Sequence, residues 1–423
     1  MRLGLTLNVD KTVVRSFDQG FSYLGYLFCR SLVLDHPKDH GSVLPLQAEA
    51  IPQASWLAVV PLDDVRDALA ATAAKRSRPE QARPLAPLTL AAPLRRALYI
   101  VDPAAEIELR QEKLFISSPT RGHEEVPIRT LSHVVFLGRV RATVPVLLGL
   151  SRLGVPSYFC RRSGALYSVF APHAPDWPLW QAQAELKADA GACLAFVRAV
   201  VAAKLHNAAT IAVRFKLQDC GSLGDALRAL EQSCLQQSSV ASLRGLEGKG
   251  AALFFGALKA SLSPDWRFPG RRKHPAEDPI NAALSLAYTV VYHHVSTALL
   301  AAGLNPRIGL FHEERGAYHA LASDLQEELR HLAEAHVIAM IGRRELTPDD
   351  FAPSEDGQYP CLLSVDGRRT FLRAFERRLL TIFTPPDRDE ATTYLAFINH
   401  QAALVKALVQ RRVEAYAPLR IHA

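Results

Sequence analysis

The sequence predicts an α+β protein: a small β-rich N-terminal domain followed by a larger all-α domain that carries the candidate metal ligands. Three observations lead there. Between residues 98 and 159, short runs of branched and aromatic residues alternate with turn residues. Ala171-Pro-His-Ala-Pro-Asp-Trp-Pro178 then punctuates the chain with prolines, as a hinge would. From residue 179 onward, apolar residues recur at helical spacing almost to the C-terminus.

Taken in order, residues 1–34 alternate apolar and polar, turn at Asp18-Gln19-Gly20, and run on through Phe21-Ser-Tyr-Leu-Gly-Tyr-Leu-Phe28. That reads as strand, turn, strand, too short to fold alone. Residues 35–96 are rich in Pro, Ala and Arg, with one helix-like patch over 62–75, and read as a basic linker. The β-rich domain spans 97–171, with strands expected over 98–101, 107–109, 113–116, 126–128, 134–137 and 155–159. One helix over 142–153 interrupts them, presenting Val146, Leu147 and Leu150 on a face. The helical domain spans 172–423, with helices expected over 181–203, 233–258, 279–304, a 309–340 unit, 369–382 and 388–415.

The chain has 423 residues, enough for two or three domains, and a net charge of +7, which favours a polyanionic partner. Its six cysteines stand far apart with no C-x-x-C pair, so no zinc knuckle, redox motif or disulfide framework is expected, and a reducing cytoplasm is the natural home. Residues 282–304 hold no Asp, Glu, Lys or Arg and are long enough to span a bilayer. His293, His294, Ser285, Ser296 and Thr297 within them favour a buried central helix, and no membrane role is expected.

Chemistry concentrates in three places. The run 309–330 delivers His312, crosses a loop at Gly316 and becomes a helix in which Asp324 and Glu327 share a face. Leu321, Leu325 and Leu329 form a separate stripe toward a core. One imidazole beside two carboxylates suits a hard divalent cation, Mg2+ or Mn2+. In Leu243-Arg-Gly-Leu-Glu-Gly-Lys-Gly250, Glu247 is bracketed by glycines that permit close approach. The Gly-Lys-Gly there lacks the first glycine and the Ser/Thr of a phosphate-binding loop. Arg271-Arg272-Lys273 forms a basic loop suited to phosphate contacts.

Four ordered motifs carry a resemblance. They are Gly245-Leu-Glu247-Gly248; Arg271-Arg272 with Asp278-Pro279-x-Asn281-x-x-Leu284-Ser285 and Tyr288; Gly303-Leu-Asn-Pro306-x-x-Gly309-Leu-Phe-His312; and Leu321-Ala-x-Asp324-Leu325-x-Glu327-Glu328-x-Arg330. Together with Lys204-x-x-Asn207 and Tyr416-x-Pro418, they resemble the CRISPR-associated spacer-acquisition endonuclease and integrase, the Cas-one family, over residues 98–423. One departure is His331, where many members have proline.

The resemblance implies a dimerising β-rich domain and a helical domain holding one divalent metal on Glu247, His312 and Glu327, with Asp324 as a supporting catalytic acid. It implies DNA as substrate, prespacer and CRISPR repeat alike, with nucleic-acid contacts from Lys204, Lys249, Arg271, Arg272 and Lys273. A homodimer working with the small Cas-two protein follows, and strand transfer by 3′-hydroxyl attack on a phosphodiester. Upstream, Gly4-Leu-Thr-Leu-Asn-Val-Asp-Lys11-Thr12 and Gly20-Phe21-Ser-Tyr23-Leu24-Gly25-Tyr26 resemble the last palm motifs of group II intron-type reverse transcriptases. No Tyr-x-Asp-Asp occurs, so polymerase activity is not expected from this chain. The whole resembles the C-terminal part of a reverse transcriptase–integrase fusion, its polymerase half either encoded upstream or lost. The alternative is a non-catalytic DNA-binding scaffold that grips DNA through Arg271, Arg272 and Lys249.

Overall fold

The computed structural model describes residues 95–119, 122–171, 176–272, 276–314, 316, 318–354, 357–386 and 388–422, and the backbone of three short strands upstream. These fall into two units. The described part of the first is an antiparallel sheet of β1 (Phe21–Tyr23), β2 (Tyr26–Cys29) and β3 (Leu32–Asp35). The single strand expected over 21–28 is therefore a hairpin, with Tyr23 paired to Tyr26 and a third strand added beyond it. The strand expected before Asp18 and the helix-like patch over 62–75 lie outside the described residues.

The second unit begins with two sheets. One holds β4 (Arg96–Ile100), β8 (Leu131–Leu137), β9 (Ser157–Cys160) and β10 (Leu166–Phe170), ordered β10-β9-β8-β4, with β4–β8 and β8–β9 parallel. The other is the antiparallel meander of β5 (Glu106–Arg110), β6 (Lys113–Ser118) and β7 (Gly122–Pro127). The central strands are continuous apolar runs because both faces are covered. Leu98, Ile100, Val134 and Phe136 face a core with Leu114, Ile116 and the helix α1 (Val144–Arg152), which contributes Val146 and Leu150. On the opposite face His133 and Tyr158 pack against His293 of the helical part. Strand β10 escaped the sequence reading; it is an edge whose side chains are mostly exposed.

The helices are α2 (Trp177–Ala188), α3 (Ala190–Arg214), α4 (Cys220–Cys234), α5 (Val240–Ser261), α6 (Pro279–Ala301), α7 (Ala320–Gly342), α8 (Val365–Leu379) and α9 (Tyr394–Val409). Expected boundaries moved where a capping side chain intervenes. The run expected over 181–203 is two helices, because the Asp189 carboxylate accepts from the Gly191 and Ala192 N–H groups at 3.0 Å each and starts a new one. Ser239, Ser364 and Thr393 likewise cap α5, α8 and α9, so those helices start away from the expected 233, 369 and 388. Nor is this part all-α. Two two-stranded ribbons interrupt it, β11 (Phe351–Ala352) with β12 (Leu362–Leu363) and β13 (Ile382–Phe383) with β14 (Thr392–Thr393).

Helix α6, the segment weighed as a span, is a buried core helix packed along α7. Among the described residues, the helix long and apolar enough to cross a membrane is α3, and half of its most apolar window is buried inside the protein.

Candidate active site

Three helices and one loop bring the predicted residues together. Helix α3 supplies Lys204 and Asn207, α5 supplies Glu247, and α7 supplies Asp324, Glu327, Glu328 and Arg330. Residues 305–312 deliver His312. That loop lies close enough to α7 that a Cβ at Gly309 would stand 2.6 Å from the His312 carbonyl oxygen and 2.7 Å from Ala320 Cβ. On the α5 side, Gly250 lets α5 approach α3, since a Cβ there would meet Leu205 at 2.1 Å. Gly245 and Gly248, flanking Glu247, open onto free space. Glu247 is thus a mid-helix acid with room before it, not an acid at a helix end.

The acids of α7 are not a solvated face. Asp324, Glu327 and Glu328 are 0%, 2% and 0% exposed. Burying carboxylates is tolerable only where each is matched by donors, and each has its own set. Asp324 Oδ2 accepts from the Leu310 and Phe311 N–H groups at 2.6 and 3.1 Å. Its Oδ1 takes the His312 N–H at 2.8 Å and His312 Nδ1 at 2.8 Å. Glu328 accepts from Tyr416 Oη and the Leu419 N–H, and from Gln401 Nε2 at 3.0 Å. Asn207 completes that anchor: its Nδ2 donates to the Glu328 and Leu419 carbonyls at 2.8 and 2.9 Å, and its Oδ1 accepts from the Ile421 N–H at 2.9 Å. The Lys204-x-x-Asn207 and Tyr416-x-Pro418 motifs therefore meet, tying the C-terminal segment to α3 and α7.

Glu327 stands at the centre. Its oxygens accept from Arg330 Nε and Nη2 at 2.8 Å each, a bidentate pair at helical spacing. Lys204 Nζ lies 2.6 Å from Glu327 Oε2 and also pairs with Glu247 Oε1. His312 Nε2 is 3.8 Å from Glu327 Oε1. Burial alone would raise the Glu327 carboxyl, but Arg330 and Lys204 outweigh it and hold the group far below the usual carboxylate range. Arg330 is held above its usual range: burial opposes its charge, and Glu327 more than compensates.

The residues fit a divalent cation. Lys204 shows that the space between Glu247 and Glu327 takes positive charge, because its ammonium already lies there between two carboxylates. Asp324 engages His312 Nδ1 and leaves Nε2 facing Glu327, the orientation second-shell carboxylates impose on metal-binding histidines. Two oxygens and one imidazole nitrogen are a ligand set for magnesium or manganese. Among the described residues, no group of three His, Cys, Asp or Glu side chains is placed to hold a metal ion.

The remaining predicted residues are placed differently. Lys204, expected among the nucleic-acid contacts, lies inside the acid cluster. Lys249 is exposed on α5. Arg271 turns inward: its Nη1 donates to Asn281 Oδ1 at 2.8 Å, and its guanidinium lies 5.3 Å from the centre of the Tyr288 ring. Arg272 is exposed and pairs with Glu277 at 3.4 Å, while Lys273 lies outside the described residues. Tyr288, named in the second motif without a role, acts as a support. Arg330 stacks 4.8 Å from the centre of that ring, and Tyr288 Oη donates to Glu334 at 2.9 Å. Arg330 was recoverable from its i+3 spacing to Glu327. Tyr288 comes from a different helix and carried no such signal.

A β-rich layer against a helical bundle, with acids on the helices and His312 on the loop before α7, describes the fold and the candidate site. The sequence model described as CRISPR associated protein Cas1 matches residues 98–377. The CRISPR-associated endonuclease Cas1 1 of Thermus thermophilus is 35% identical over 285 residues, 67% of this chain and 86% of the relative. A Cas4 exonuclease/Cas1 endonuclease fusion of Rhodospirillum rubrum is 30% identical, over 75% of this chain and 56% of the relative. The chain belongs to the Cas1 family. Among solved structures, a Cas6-RT-Cas1–Cas2 complex aligns with a TM-score of 0.68 at 23% identity, covering 78% of this chain and 36% of the other. A casposase bound to integration product aligns with a TM-score of 0.68 at 18% identity, covering 77% and 94%. Both show the shared fold.

Proposed function

We propose that this chain is a divalent-metal-dependent DNA endonuclease and integrase of CRISPR adaptation. The observation that carries the reading is the Lys204 ammonium clasped between Glu247 and Glu327, with His312 Nε2 turned toward Glu327. Glu247, Glu327 and His312 would hold Mg2+ or Mn2+, which when bound polarises a phosphodiester and neutralises charge developing on its oxygens. Asp324 positions His312, and Arg330 keeps Glu327 ionised. The reaction is attack of a prespacer 3′-hydroxyl on a phosphorus of the repeat. A new P–O bond forms, the bond to the target's 3′-oxygen breaks, and that oxygen leaves as a hydroxyl. In simple cleavage, water is the nucleophile.

A homodimer, the small Cas2 protein and a cytoplasmic site of action go with this reading, and the related Cas6-RT-Cas1–Cas2 assembly supports a reverse transcriptase partner. The residues 4–26 that resemble polymerase motifs belong to the same proposal. In a half-site integration assay with Mg2+ or Mn2+, Glu247→Ala, His312→Ala and Glu327→Ala should each abolish strand transfer. Full activity in any two would sink the assignment. Salt-sensitive DNA binding without nicking by the unaltered protein would favour the scaffold reading instead.

A further inference from the structure

We propose that the cavity between the 161–164 turn, the first turns of α6 and the start of α8 is a binding site for a single phosphate group, distinct from the acid cluster. The cavity is small and partly open to solvent. Arg368 lines it, is 7% exposed, and leaves its Nε and Nη1 without a hydrogen-bond partner. Unmatched buried guanidinium donors are rare because nothing replaces the water they lose. Arg162 lines the same cavity, its charge acts on Arg368, and no acid is among the described lining residues. Burial pulls Arg368 down to about 10, and the nearby Arg162 charge acts in the same direction. At neutral pH it therefore remains a cation that needs a counter-ion.

Two acids near the cavity among the described residues have partners of their own. Asp278 caps α6 through the Asn281 N–H at 2.9 Å and accepts from Asn281 Nδ2 at 2.7 Å, and Asp366 pairs with Arg369 at 2.7 Å. The wall is mostly apolar, with Leu286 and Leu363 among its residues, and Ser163 and Ser285 also line it. The forked donors of two guanidiniums suit an oxyanion such as phosphate. The phosphate could be free or carried at a strand end; the chemistry recognised is the same.

The test is binding to the full chain, independent of metal and of strand transfer. Thermal unfolding is followed in chloride alone and with inorganic phosphate at matched ionic strength. Calorimetry then compares a trinucleotide with and without a 5′-phosphate. Phosphate should raise the unfolding temperature beyond chloride, and Arg368→Met should weaken phosphate binding at least ~10-fold, since a charge-assisted contact is lost. Without phosphate, Arg368→Met should unfold no earlier than the parent, because it removes an unmatched charge. Arg162→Gln, at a half-buried position, should weaken binding and retain the fold. A preference for the 5′-phosphorylated strand over inorganic phosphate identifies a strand end as the source, and equal binding identifies free phosphate. The proposal is overturned if phosphate does no more than chloride, if acetate stabilises equally, or if both variants bind as the parent does.

Discussion

Replacing Asp324 by asparagine removes one charge and keeps the shape, so it isolates what the carboxylate does. Four N–H groups converge on its two oxygens: Leu310 and Phe311 on one, and the His312 backbone and Nδ1 on the other. An amide offers one oxygen and one NH2. Whichever way it turns, two of the four donors lose their acceptor and face another donor. Each buried unsatisfied donor costs about 1–3 kcal/mol, so Asp324→Asn should destabilise the protein by roughly 2–6 kcal/mol and lower its melting temperature by several degrees. The imidazole loses its orienting partner as well, and losses of that kind reduce metal affinity by about 10–100-fold. Differential scanning calorimetry and Mn2+ titration followed by electron paramagnetic resonance measure the two effects separately. A variant with parental melting temperature and parental Mn2+ affinity would refute the view that Asp324 builds the loop and aims His312.

Other outcomes follow from the same contacts. Lys204→Met frees the space between Glu247 and Glu327, so it should lower stability without metal yet strengthen Mn2+ binding; weaker binding in this variant would make Lys204 a support rather than an occupant. Gly309→Ala forces a Cβ against the His312 carbonyl and should cost roughly 1–3 kcal/mol, as overpacking does, with Mn2+ affinity falling in parallel; unchanged melting would contradict the close approach. Asn207→Ala removes three buried hydrogen bonds and should loosen the C-terminal segment, visible as faster amide exchange at Leu419 and Ile421. Burial holds His293, His331 and His336 down at about 3, so these imidazoles stay neutral in the fold while the unfolded chain protonates near 6.5. Their contribution is complete above pH ~6.5 and falls as pH drops toward about 3, by about 1.4 kcal/mol per unit for each group. Acid unfolding should therefore become steep below pH ~6; urea midpoints that do not change between pH 6.5 and 4.5 would contradict it.

The structure also sharpens what the acid-rich run means. Read as a surface feature, Asp324, Glu327 and Glu328 would be solvated; in the fold none of them is. Each carboxylate has a separate set of partners, and those partners come from residues as distant as Lys204 and Leu419. Glu327 is the acid shared with Lys204 and Glu247, whereas Asp324 faces backbone N–H groups and His312.

The α+β class and most of the described helices and strands were legible from periodicity, because burying one face leaves its period in the chain. So was the i, i+3 pairing of Glu327 with Arg330, which local helix geometry dictates. Helix starts at Asp189, Ser239, Ser364 and Thr393 were less legible, since a cap acts through one side-chain hydrogen bond and leaves no period. Strand β10 was missed because an exposed edge needs no apolar alternation. Lys204, Tyr288, and the pairing of Asn207 with the 416–421 segment depend on contacts across more than 40 positions. Only the packing of α3, α5, α6 and α7 decides them: a side chain's partner is set by which helix lies opposite, and that information is not local.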